Sequence, residues 1–152
     1  MTRLVLIVSI VLVVAGASPA ASAVHGGMVI KTAYNAKLKK TIVVDAHGRT
    51  LYLFTYDKNG KATCAHADPS CPSLWPAVPA NGKPVAGKGI LGRLLGVTKG
   101  AHGVTQVTYN HHPLYYWHGG VGYVGDSKAG DANGQGLYDV WFVVSAKGNA
   151  IK

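Results

Sequence analysis

The side chains of this 152-residue chain best suited to hold a metal or move a proton are seven histidines, two cysteines and six acidic residues, all of them aspartate. Metal binding needs three or four such groups to converge, so spacing decides. If residues 104–109 form a strand, His102 lies at one end and His111 and His112 at the other, about 20 Å away at ~3.3 Å per residue. An antiparallel return strand would bring His118 back towards His102, with His66 as a further donor. A metal- or haem-handling reading therefore rests on His102, His118 and His66, and it lacks a carboxylate or free thiol to complete the shell. The preferred expectation is histidines on exposed turns and no cofactor.

Residues 126–134, Asp-Ser-Lys-Ala-Gly-Asp-Ala-Asn-Gly, carry the short oxygen-bearing side chains that can wrap calcium. Lys128 sits among them and no glutamate closes the loop, so turn formation explains the same letters better. Catalytic signatures are absent: there is no Gly-x-Ser-x-Gly, no His-Glu-x-x-His and no phosphate loop. An enzyme acting on envelope components is the third choice, with no catalytic residue to nominate. Cys64 and Cys71, separated by six residues including Pro69, match neither a Cys-x-x-Cys metal clip nor a haem-attachment sequence. In an oxidising compartment an even pair of this kind predicts a disulfide.

The elements that must position these groups are strands. Thr41-Ile42-Val43-Val44-Asp45, then Ala46-His47-Gly48-Arg49, then Thr50-Leu51-Tyr52-Leu53-Phe54-Thr55 reads as a hairpin. A shift of 63 residues lays it without a gap on residues 104–117, matching Val44 with Val107, Leu51 with Leu114 and Tyr52 with Tyr115. Hairpin copies are thus expected at about 41–55 and 104–118. A third piece, Trp141-Phe142-Val143-Val144-Ser145, repeats the first strand and is expected to close the sheet. Alternation puts Tyr52 with Phe54 and Tyr115 with Trp117 on one face, and Leu51 with Leu53 and Leu114 with Tyr116 on the other. Strands apolar on both faces belong in the middle of a layered body. Prolines 69, 72, 76, 79 and 84 exclude regular structure from most of residues 60–89, and the Gly-rich stretch 119–136 reads as strandless. The fold expected is a small all-β, mostly antiparallel single domain with long Gly/Pro-rich loops and one disulfide.

Residues 1–23 read as a secretory signal: Arg3, an apolar run from Leu4 to Ala15, and Ala21-Ser22-Ala23 as cleavage site. The run is shorter than the roughly 20 residues a membrane span needs, so no transmembrane segment is expected after cleavage. No cysteine stands near its end to take a lipid. The domain then covers 24–152. Net charge is +9, and loss of Arg3 leaves about +8. A basic exported protein favours anionic envelope polymers and acidic head groups, and no motif points to specific nucleic acid. Lys37, Lys39 and Lys40 form the one tight cluster, expected on a strand edge. Tyr34, Tyr109, Tyr116, Trp117 and Tyr123 are available to stack a flat ligand.

From Val43 to Asp57, and again through Trp75-Pro76, Pro113-Leu114-Tyr115-Tyr116 and the Gly130-to-Gly136 stretch before Trp141, the chain resembles a bacterial family of secreted repeats. These are lipoproteins by prediction, with a Tyr-x-[Phe/Trp/Tyr]-x-x-Asp motif, met here by Tyr52, Phe54 and Asp57. The second copy keeps Tyr115 and Trp117 but has Gly120 where the aspartate would stand. The resemblance implies an exported β-rich module, offers Tyr52, Phe54, Asp57, Tyr115 and Trp117 as family-motif residues for binding, and brings no established activity. The reading is an exported, non-catalytic envelope or extracellular binding module, with an anionic envelope polymer as the partner its charge suits.

Overall fold

The computed structural model describes residues 26–152, so the signal sequence read at 1–23 lies outside the described residues. Ten short strands and two one-turn helices follow in order: β1 (Val29–Asn35), β2 (Lys40–Asp45), β3 (Tyr52–Phe54), α1 (Cys64–Ala67), α2 (Cys71–Leu74), β4 (Val85–Ala86), β5 (Leu95–Lys99), β6 (Thr105–Tyr109), β7 (His112–Pro113), β8 (Gly119–Gly120), β9 (Tyr123–Val124) and β10 (Trp141–Val143). Every strand pairing is antiparallel except β1 with β4. The β-rich expectation holds, as does the Cys64–Cys71 disulfide, which joins α1 to α2. Closing so short a loop contributes about 2.5 kcal/mol through the unfolded chain.

The duplicated hairpin is not reproduced. In the second copy Tyr109 pairs with His112 across a two-residue turn, Asn110-His111, and both turn residues have positive φ (49° and 63°) as a type I′ turn demands. In the first copy Val44 bridges Thr50 around a longer loop, which Asp45 holds by accepting hydrogen bonds from the backbone N–H groups of His47 and Arg49. The unequal turns shift the register. Leu51 N–H donates to Val43, whereas Leu114 N–H donates to Val107, the counterpart of Val44. The strand β3 then leaves β2 and pairs with β10, because Val144 and Ser145 take the remaining edge of β2. The third piece does close the sheet, at that place.

Other expectations need correction. The strand β1 gave no signal next to the stronger run that follows, yet it makes six register pairs with β2. The turn between them carries Lys37 and Lys39, so the lysine cluster lies mainly on a hairpin tip, with only Lys40 in a strand. The proline-rich region holds α1 and α2, because Pro72 occupies the first turn of α2, where a missing N–H costs nothing. Residues 119–136 include the small ribbon of β8 and β9.

The alternation reading decides the core. Tyr52 and Tyr115 exchange backbone hydrogen bonds of 2.9 Å each, so the two aromatic segments run side by side as a central ribbon. One face buries Tyr52, Phe54, Tyr115 and Trp117 with Trp75, Trp141 and the disulfide. The opposite face buries Leu51, Leu53, Leu114 and Tyr116 with Val43, Val78, Val107 and Tyr109. In the aromatic layer Trp75 stacks on Trp141 at 3.9 Å, Phe54 stacks on Trp141 at 4.3 Å, and Tyr52 meets Trp75 edge-on at 5.3 Å.

Candidate functional site

The motif residues are interior. Tyr52, Phe54, Asp57, Tyr115 and Trp117 are each exposed by no more than 4%. Their polar atoms are used inside the fold. The Tyr115 hydroxyl donates to Asp57 Oδ2 at 2.8 Å, and Asp57 Oδ1 accepts from both the backbone N–H and the hydroxyl of Thr63. The Tyr52 hydroxyl donates to Asp126 Oδ2 at 2.5 Å, and Asp126 Oδ1 accepts from the Asn133 N–H. Each aromatic segment thus supplies a tyrosine to a carboxylate of the other half. Asp126, not a residue at position 120, does for Tyr52 what Asp57 does for Tyr115. Burial raises both carboxyls above the ordinary range despite these donors, and burial next to a carboxylate raises both phenols.

The histidines read as candidate ligands stand on separate elements: His66 in α1, His102 in the turn before β6, and His118 after Trp117, all exposed. Among the described residues no three histidine, cysteine or aspartate side chains converge on a metal-sized point. The 126–134 loop is tied by its own acids, since Asp131 accepts from the Ser127 N–H, the Ser127 hydroxyl and the Lys128 N–H. His111 and His112 share a polar recess of about 460 Å³ with Asp57, Lys58, Asn59 and Asn110. Of the aromatics proposed for stacking, Tyr109, Tyr116 and Trp117 are buried, whereas Tyr34 and Tyr123 face solvent.

The distribution of charge is the feature that leads outward. Asp45 is fully buried: Oδ2 receives Arg49 Nε at 2.8 Å and the Tyr116 hydroxyl at 3.1 Å, while Oδ1 holds the β2–β3 loop. Burial alone would raise its carboxyl, but the backbone and side-chain bonds and the charge of Arg49, with the Tyr116 hydroxyl, hold it below the ordinary range. Asp68 accepts from Ser70. Five of the six aspartates are therefore engaged by neighbouring donors, and Arg49–Asp45 is the one ion pair among the described residues. The other described cations have no carboxylate partner. Lysine bonds that do form go to neutral oxygens, as from Lys31 to Ala46, Lys37 to Asn133 and Lys58 to Thr55.

No acidic residue occurs between Asp68 and Asp126, while Lys83, Lys88, Arg93 and Lys99 do. This carboxylate-free stretch borders a cleft of about 530 Å³ between the 80–84 loop and β5 and β6. It is lined by Ala80, Pro84, Leu95, Val97 and Lys83, with Gly82, Gly92, Gly96 and Thr105. The register of β5 on β6 places Lys99 opposite Thr105, which also lines the cleft. The arrangement offers a mainly apolar trough with one cation, Lys83, in its lining.

Residues 96–145 match a family of secreted repeats of unknown function. No curated protein and no solved structure matches the chain. The matched segment starts inside β5 and ends just past β10, so it contains Tyr115, Trp117, Asp126 and Trp141 and part of the cleft lining. It takes its partner aspartate, Asp57, and its partner indole, Trp75, from outside the match. Among the described residues no helix is long and apolar enough to cross a membrane. Reading the sequence for motifs missed the cleft, because the motif residues are the ones that fill the core. The signal that could have found it is the run of 57 residues without an acid, from 69 to 125, that carries four of the cations.

Proposed function

We propose that the protein is an exported, non-catalytic binding module whose partner is an anionic component of the cell envelope. The single observation that supports this is the near absence of charge pairing: among the described residues Arg49 alone meets a carboxylate, and the other lysines and arginines have no ion-pair partner. Such a surface attracts a polyanion by its summed field, with no need for a fixed bidentate contact. Lys83, Lys88, Arg93 and Lys99 form the part of that surface most distant in sequence from any acid.

The test is cosedimentation of the purified protein with isolated envelope across a salt series. Binding at low ionic strength should fall steeply as the screening length shrinks from about 10 Å at 0.1 M to about 3 Å at 1 M. Replacing Lys83, Lys88 and Arg93 together by glutamine should weaken low-salt binding several-fold without loss of fold, since all three are exposed. Binding that is absent, or indifferent to salt, overturns the reading.

A further inference from the structure

A polyanion needs no apolar trough, yet one lies against Lys83. Its volume of about 530 Å³ falls within the ~300–1,000 Å³ that small-molecule sites occupy. Val97, which lines it, is 51% exposed. An apolar side chain left facing water in a concavity whose other walls include Ala80, Pro84 and Leu95 suits an apolar occupant. A second copy of this chain would bring like charge against like charge. An occupant with a negative end and a hydrocarbon body matches both Lys83 and the apolar walls.

We infer that the cleft walled by Ala80, Pro84, Leu95 and Val97 takes the hydrocarbon chain of a single anionic amphiphile, with Lys83 at its head group. The inference rests on the anionic-partner reading above and narrows it to one ligand class at one place. Lys99 stands opposite Thr105, itself a lining residue, and adds a second cation near the cleft.

The experiment is calorimetric titration of the protein with octyl, decyl and dodecyl phosphate below their micelle concentrations, with inorganic phosphate and dodecyltrimethylammonium as controls. One-site binding should tighten by up to about fourfold per added methylene, the equivalent of ~0.8 kcal/mol of transfer. Raising salt should weaken all three alkyl phosphates alike and leave the chain-length slope intact. The alkyl cation should bind at least tenfold more weakly than dodecyl phosphate. Val97→Asn, at an exposed position, should flatten the slope; Lys83→Gln should lower every affinity several-fold and preserve it. Equal affinities along the series, equal binding of the cation, or an unchanged slope in Val97→Asn each overturn the inference. If salt-sensitive envelope binding survives while the alkyl series fails, the cleft assignment falls alone. If the alkyl series behaves as stated but envelope binding is absent, the amphiphile site stands and the polymer reading falls.

Discussion

Asp45 and Asp57 are both buried and both bonded to a tyrosine hydroxyl, but only Asp45 has a cation within reach. That difference sets opposite pH behaviour. The Asp45 carboxyl is held below 3.8, so its stabilisation is complete above that value and is lost as pH falls through the lower folded value. The Asp57 carboxyl is raised above 3.8 by burial, so the folded state keeps its proton longer and stability drops as pH rises through that raised value. Asp45→Asn should therefore cost about 2–3 kcal/mol at neutral pH, the penalty for leaving the Arg49 charge without its acceptor, and the gap to the parent should shrink below the ordinary carboxylate range. Asp57→Asn should cost less, about 1 kcal/mol, and its gap to the parent should widen as pH falls. Denaturant midpoints at neutral and acidic pH check both. The sequence marked Asp57 as a motif residue and Asp57-Lys58-Asn59-Gly60 as a turn; it could not show that the second aspartate stands eleven positions after Tyr115, because the intervening ribbon of β8 and β9 has no periodic signature.

At the level of elements, what could be read was whatever has a period. The two-residue alternation divided Tyr52 and Phe54 from Leu51 and Leu53 correctly, and the structure assigns them to different cores. Register and partner choice were not legible, since they depend on turn length and on which distant strand reaches an edge first. The identical-looking copies diverge for that reason: Asn110-His111 closes a tight turn, and the loop held by Asp45 closes a wider one. Glycines show the same limit. Gly134 reads as one of many loop glycines, yet a β-carbon there would lie 2.7 Å from the Trp75 ring, 3.0 Å from Tyr52 and 3.1 Å from Trp117. These are three of the most closely packed rings in the aromatic layer, so they cannot all give way. Gly134→Ala should cost about 1–3 kcal/mol by overpacking and should perturb tryptophan fluorescence in the folded state. Thermal or denaturant unfolding followed by that fluorescence measures both effects, and an unchanged midpoint would sink the packing argument.

Taken whole, the molecule keeps its charges apart: five of the six aspartates accept from nearby hydrogen-bond donors, and among the described residues only Arg49 pairs with one. Composition announced the excess of cations, but only the fold could say that the aspartates are withdrawn from neutralising them. The same withdrawal fastens the two halves together, because each tyrosine–aspartate pair spans from one half to the other. Neither half owns a finished interior. A chain cut between Asn81 and Gly82, both exposed, yields one piece with Tyr52, Asp57 and Trp75 and another with Tyr115, Asp126 and Trp141. Each piece alone would bury a phenol and a carboxyl with no mate, so each should remain unstructured. Mixed together, the two should reconstitute one folded particle by complementation, with near-ultraviolet dichroism returning only in the mixture. A single fragment that shows that dichroism unaided would mean the halves are autonomous.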